Sequence, residues 1–312
     1  MLRYLKTTSY GYFSRNCKKK KNNCYHHSKT DMNFQRKPDW IRTKLHSEST
    51  FSEVHQIIQK NGLHTICTSG RCPNQSECWN KGTATLMILG EICTRACRFC
   101  NTLTGEPMPP DPAEPERIAQ SIQLLNLQHA VITSVDRDDL PDKGASHWAK
   151  TIQAIKTLNP EVTLETLIPD FDGDTTLLDL VIAEKPNIIS HNLETVRRLT
   201  PKIRSKAKYE TSLKVLNYVS SCGITTKTGI MVGLGETETE IFTLMDDALI
   251  AGCSVLTIGQ YLQPSRKNIP VCEYVSPNKF EEYRQIGLEK GFRHVESGPF
   301  VRSSYHAEKH IL

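Results

Sequence analysis

Three cysteines, Cys93, Cys97 and Cys100, fall within eight residues in a C-x3-C-x2-C pattern, directly after the apolar run 84–90. That spacing cannot place all three on one helix face or one strand face. It suits a loop that curls round a metal cluster with the thiolates pointing inward. Iron–sulfur clusters are held by such thiolates, usually four of them. Three local ligands leave one iron open for a further ligand. The plainer alternatives are a zinc knot or buried structural thiols. Structural zinc takes four closed ligands, and this loop offers three with no histidine nearby. A second trio, Cys67, Cys72 and Cys78, precedes it in a C-x4-C-x5-C pattern and needs a fourth ligand from elsewhere. Phe99 stands before the last cysteine of the loop, where its ring would cover a cluster.

The elements that must hold these residues are legible in the alternation that begins at residue 84. Apolar, β-branched runs of strand length cover 85–89, 130–135, 162–168, 187–190, 227–232 and 255–261. Longer amphipathic stretches lie between and after them, at 114–127, 145–158, 175–183, 209–221, 236–250 and 277–290. Gly223, Gly252 and Gly291 punctuate helix ends, and Ser276-Pro277 marks a start. Six β-then-α units predict a parallel sheet with helices outside it. The predicted class is α/β, a partial (β/α)6 TIM-type barrel with a cysteine-rich N-terminal extension and a C-terminal capping segment. In such sheets, ligands sit at the carboxyl ends of the strands. Those ends carry the cysteine loop, Thr133-Ser134 with Asp136 to Asp139, Glu165 to Asp170, His191 to Glu194, Gly233-Leu-Gly235-Glu236 and Gln260 to Ser265. Singly, each has a bland reading. His191 reads as a hydrogen-bonded pocket residue, the aspartates as caps or loop contacts, and G-x-G without a third glycine as a weak phosphate signal.

The expected segments are a basic, disordered arm at 1–36, an extension with the first trio at 37–83, the barrel at 84–291 and a C-terminal segment at 292–312. Within the extension, 49–59 has the spacing of a helix. The net charge of +5 does not point to nucleic acid, because residues 1–30 hold eight Lys and Arg and no acid. Removing them leaves 31 basic against 34 acidic residues, a body of −3. The arm is either a solvated tail or a transit peptide. No apolar run approaches the roughly 20 residues that span a bilayer. Eleven cysteines without a secretory apolar stretch favour metal ligation in a reducing compartment. Cys17, Cys24, Cys222, Cys253 and Cys272 are scattered and read as thiols without a role.

The cysteine loop after a first barrel strand resembles the signature of the radical S-adenosylmethionine superfamily. The preceding trio, the ending Arg302-Ser-Ser-Tyr305 and the stretches NGLHTIC, GTATLMILG, ITSVDRDDL, ETLIPDF, HNLE, MVGLGE and GQYLQPS narrow the resemblance to the lipoyl synthase family, from about Lys37 to Ala307. The resemblance implies two [4Fe–4S] clusters and S-adenosylmethionine. Cys93, Cys97 and Cys100 would hold the cluster whose open iron binds S-adenosylmethionine, which yields a 5′-deoxyadenosyl radical. Cys67, Cys72 and Cys78 would hold the auxiliary cluster, with a serine of the RSSY stretch as fourth ligand. Ser304 is assigned in preference to Ser303. The S-adenosylmethionine pocket is assigned to Phe99, Ser134, Glu165, Asn192, Gly233 and Gly235.

The implied reaction inserts two sulfur atoms, at C6 and C8 of an octanoyl chain amide-linked to lysine. The implied carriers are lipoyl domains of 2-oxo-acid dehydrogenase subunits and the glycine cleavage H protein. The implied helpers are a ferredoxin or flavodoxin as reductant and an iron–sulfur carrier for cluster repair, with no nucleic acid and no membrane. The expected location is cytoplasmic, or the mitochondrial matrix if the arm is a transit peptide. Two other classes stand beside this one: a radical enzyme with a different sulfur-transfer substrate, RNA included, and a two-cluster electron carrier. The acidic body counts against RNA, and the polar strand ends count against a simple carrier.

Overall fold

Alternating apolar runs and amphipathic stretches leave the chain one economical arrangement, strands side by side with helices packed over their outer face. The computed structural model, which describes residues 36–42 and 49–311, has this form. The basic arm lies outside the described residues. Seven parallel strands follow one another across a single sheet: β1 (Thr85–Ile88), β2 (His129–Ser134), β3 (Thr163–Leu167), β4 (Ile188–Ser190), β5 (Thr225–Val232), β6 (Val255–Gln260) and β7 (His294–Gly298). A two-residue strand, His64–Thr65, pairs antiparallel with β1 and covers that edge. The sheet curls as a partial barrel and does not pair its two ends.

Helices α1 (Ser49–Lys60), α2 (Glu114–Leu124), α3 (Ala145–Leu158), α4 (Thr175–Ile182), α5 (Tyr209–Ser221), α6 (Glu238–Ile250) and α7 (Pro277–Lys290) include one after each of the six barrel strands. Their ends are set by local chemistry. Asn126 has φ +49°, so α2 stops short of residue 127. The Thr237 hydroxyl and the Glu240 carboxylate form a capping box, so α6 begins at Glu238 rather than 236. Ser276 caps α7 ahead of Pro277, and Gly291 at φ +118° ends it.

The strand β7 was not foreseen. Its sequence, His-Val-Glu-Ser-Gly, is mostly polar, and it reads as loop until it is seen pairing with β6 from His294 opposite Val255 to Gly298 opposite Gly259. The chain beyond β7 then turns back across the barrel. The backbone of Val301 crosses so close to β6 that a Cβ at Gly259 would stand 2.1 Å from the Val301 carbonyl oxygen. The segment ends in a one-turn helix, Ala307–His310, against β2.

The barrel floor, at the amino ends of the strands, is charged. Lys227 and Glu165 are both wholly buried and pair at 2.7 and 2.9 Å. Ser190 donates to the same carboxylate at 2.7 Å, and Lys227 Nζ lies 2.9 Å from His310 Nδ1. A buried pair is held at a net cost unless further hydrogen bonds satisfy it, and these supply them.

Candidate active site

The turn into the first cysteine loop is fixed from three sides. Leu89 and Gly90 both adopt positive φ, at 67° and 88°. The buried Glu114 carboxylate accepts from the Leu89 amide at 2.8 Å and contacts His147 Nε2 at 2.7 Å. The loop itself is tied to the ends of other strands. The Arg98 amide donates to the Ile203 carbonyl at 2.9 Å, the Ile269 amide to Arg98 at 3.1 Å, and Asn268 Nδ2 to the Cys100 carbonyl at 2.7 Å. Asn101 Nδ2 reaches the Ser69 carbonyl at 2.9 Å, joining this loop to the one that carries the other trio.

Inside the loop, Arg95 is 3% exposed at its side chain and is gripped by carboxylates. It makes forked bonds to Asp138 (2.8 and 2.9 Å) and to Asp170 (3.0 and 2.8 Å), with Asp136 at 3.3 Å. Burial would raise the Asp170 carboxyl, but the Arg95 fork overrides it and holds the group at about 2. The guanidinium therefore bolts the cysteine loop to the ends of β2 and β3. Sequence reading missed Arg95. The available signal was an arginine inside the cysteine loop facing an aspartate-rich stretch.

All three cysteines of this loop line a cavity of about 510 Å³ at the carboxyl ends of the strands. Their thiols are unbonded to one another. Burial pushes the Cys93 thiol up to about 12 and raises Cys97 as well. Bound metal must offset that cost, since ligation removes the thiol proton. Amides aimed at sulfur favour the anion: Arg95 and Asp136 at 3.4 Å from Cys93 Sγ, and Thr102 at 3.4 Å from Cys100 Sγ.

Cys67, Cys72 and Cys78 line an adjoining cavity of about 390 Å³. Their loop closes through Cys72 N to Cys67 O at 2.9 Å and Cys78 N to Asn74 O at 2.9 Å, while Asn74 Nδ2 holds the Phe300 carbonyl at 2.7 Å. Burial raises Cys67 and Cys72 and takes Cys78 to about 12. Ser304 lines this cavity too, and the Thr85 hydroxyl on β1 donates to Ser304 Oγ at 2.7 Å. Ser303 lines only the larger cavity, where it accepts from Asn192 Nδ2 at 2.7 Å. The two cavities share Cys67, Cys72, Thr85, Arg302 and Ser304.

The pocket residues divide. Phe99, Ser134 and Asn192 line the larger cavity. The Oδ1 atom of Asn192 is buried without a hydrogen-bond partner, an acceptor left available to a ligand. Glu165, Gly233 and Gly235 do not line it. Glu165 faces into the barrel one layer below Leu167 and is committed to Lys227. At Gly233, a Cβ would meet Gln260 Nε2 at 2.2 Å and the Glu273 carbonyl at 2.4 Å, so packing against β6 demands the glycine. The Glu236 carboxylate folds back onto the Gly233 and Leu234 amides, closing the turn on itself. Gly235 gives its carbonyl to Arg198 at 2.8 Å. His191, as expected, is a hydrogen-bonded pocket residue, between the Ile168 carbonyl and Ser212 Oγ, both at 2.9 Å.

The chain matches the radical SAM superfamily over residues 87–248. It is 64% identical to a lipoyl synthase of Parabacteroides distasonis over 276 residues, 88% of this chain and 98% of that one. The chain belongs to the lipoyl synthase family. A lipoyl synthase of Phocaeicola vulgatus is 62% identical over 280 residues, 90% of this chain and 99% of its own. Beyond the family, HydG, a maturase of the [FeFe]-hydrogenase, shares the fold, with a TM-score of 0.53, 12% identity and coverage of 84% of this chain and 71% of that one. The family's cofactors are S-adenosylmethionine and two [4Fe–4S] clusters. Two thiol trios in adjoining cavities are a donor set that fits two clusters. Among the described residues, no helix is long and apolar enough to cross a membrane.

Two outcomes follow from this geometry. Arg95→Met strands several carboxylates in a buried site, at a cost of about 3–5 kcal/mol. The variant should keep about half of the wild-type iron, with Arg95→Lys recovering only part of the rest; unchanged iron content in Arg95→Met would contradict the bolt. Burial lowers His191 to about 4. The unfolded chain binds this proton near pH 6.5, so acid favours unfolding across that window, and moving from pH 7 to 5 should cost about 2 kcal/mol. Thermal unfolding of the reconstituted protein checks this, because His191→Gln should flatten the dependence between pH 5 and 6.5.

Proposed function

We propose that this chain inserts sulfur at C6 and C8 of an octanoyl group carried in amide linkage on a lysine of a lipoyl domain. The observation that supports this most is the shared wall between the two cavities, built from Cys67, Cys72, Thr85, Arg302 and Ser304. A substrate carbon in the larger cavity is thereby brought beside the smaller one. When bound, S-adenosylmethionine with the first cluster supplies the radical that removes hydrogen from an unactivated carbon, and the auxiliary cluster supplies the sulfur.

In this reading Cys93, Cys97 and Cys100 hold the first cluster, and Phe99, Ser134 and Asn192 serve S-adenosylmethionine. Asn192 is the natural orienting group, since its amide nitrogen is already fixed by Ser303 and Glu194, leaving Oδ1 to accept. Met87, Leu167, Ile230 and Met231 give the cavity an apolar wall suited to an alkyl chain and to the exclusion of water. Cys67, Cys72, Cys78 and Ser304 hold the auxiliary cluster. Ser304 is favoured over Ser303 because it alone of the two lines the smaller cavity. An alkoxide is a harder donor than a thiolate, and Thr85 is placed to hydrogen-bond the serine oxygen. That suits a ligand that lets go when the cluster is dismantled.

The carriers in this reading are lipoyl domains of 2-oxo-acid dehydrogenase subunits and the glycine cleavage H protein. A ferredoxin or flavodoxin supplies electrons, and an iron–sulfur carrier rebuilds the spent cluster. A cytoplasmic setting belongs to the same reading, because six ligand thiols need a reducing compartment.

Anaerobic incubation with dithionite, S-adenosylmethionine and an octanoyl-lysyl peptide tests the assignment. The wild type should form 5′-deoxyadenosine and thiolated peptide. Ser304→Ala should still form 5′-deoxyadenosine while thiolation falls at least tenfold. Full thiolation by Ser304→Ala would remove the serine from the account, and absence of both products from the iron-loaded wild type would sink the function.

A further inference from the structure

The polar cluster below the barrel contains more ligating groups than the charged floor uses. His294 and Glu296 lie two residues apart on β7, and so on one face of that strand. His310 arrives from the end of the returning C-terminal segment. One ligating atom from each of the three falls within 4.8 Å of the others. The His294 and His310 rings lie 4.7 Å apart between centroids. Glu296 spreads its two oxygens between histidines, with Oε2 at 3.4 Å from His294 Nε2 and Oε1 at 3.4 Å from His306 Nδ1.

One imidazole nitrogen here, His310 Nε2, is buried with no hydrogen-bond partner. His310 is 0% exposed. Leaving a buried nitrogen unpaired is costly, so this one calls for a ligand. Backbone strain is already present, since His306 holds φ +53°. His310 Nδ1 lies 2.9 Å from Lys227 Nζ, and Nε2 is free to ligate in the tautomer that keeps the ring proton on Nδ1, toward Lys227.

We propose that His294, Glu296 and His310 form a binding site for one divalent transition-metal ion of the zinc type. Two imidazoles and a carboxylate are a ligand set that zinc accepts, leaving a fourth position for water or for His306. None of the three is among the groups assigned to the two clusters. The site's consequence is mechanical. It fastens the last turn of the chain to β7, six residues beyond Ser304, and so holds the returning segment against the barrel. This inference does not depend on the proposed reaction.

The test uses the protein with both clusters loaded, so that the six ligand cysteines are occupied. It is equilibrated with Zn2+, passed through gel filtration, and analysed for zinc content and by X-ray absorption at the zinc edge. About one zinc per chain is expected, with nitrogen or oxygen scatterers at about 2.0–2.1 Å and no sulfur at about 2.3 Å. His294→Ala and Glu296→Gln should each retain zinc at least tenfold less well, with iron content unchanged. Absence of zinc from the wild type, a sulfur shell around it, or undiminished zinc in His294→Ala would each overturn the proposal and leave a hydrogen-bonded polar cluster only.

Discussion

A single hydrogen bond, from the Thr85 hydroxyl to Ser304 Oγ at 2.7 Å, joins residues 219 positions apart and closes the site. Thr85 opens the first barrel strand, and Ser304 sits near the end of the chain. Through that contact the returning segment meets the first barrel strand, and the wall between the two cavities is completed. Neither cavity is the property of one loop. The smaller one draws its thiols from residues 67–78, its floor from β1 and its hydroxyl from the C-terminal segment.

The segment is held at several points, each a different kind of interaction. Asn74 holds the Phe300 carbonyl, Asn192 holds Ser303, and Tyr305 reaches the Glu77 carboxylate at 3.3 Å. Beyond the serines, His310 meets the buried Lys227 of β5. Close backbone approach is equally needed, which is why Gly259 and Gly229 stand where they do. A Cβ at Gly229 would lie 2.5 Å from Thr257 Oγ1 and 2.8 Å from Asn192 Oδ1. Side chains at either position would push the segment off the sheet or fill the space next to Asn192 Oδ1.

Much of this was legible in the sequence because local chemistry decides it. The six β-then-α units follow from periodicity, and helix ends from Thr237, Ser276 and Gly291. The two trios were visible as spacing alone, and the preference for Ser304 came from resemblance. The rest depends on contacts that periodicity does not encode. The strand β7 is polar in sequence because His294 and Glu296 face the cluster below the barrel. Arg95 looks like an ordinary loop arginine until Asp138 and Asp170 arrive from two other strands. Glu165 ends up below the cavity because a strand's inward residues stack in layers, and only its upper layer reaches the mouth. Gly233 and Gly235 look like ligand-binding glycines, yet their conformation serves Gln260, Glu236 and Arg198.

The central claim is that two clusters sit in adjoining cavities and that Ser304 completes the second. Anomalous diffraction at the iron edge, from anaerobically reconstituted crystals, tests it most directly. The account predicts two iron clusters, one bounded by Cys93, Cys97 and Cys100, the other by Cys67, Cys72 and Cys78 with Ser304 Oγ as its fourth ligand. A single cluster, or a second cluster ligated by Ser303 or by no serine, would contradict it.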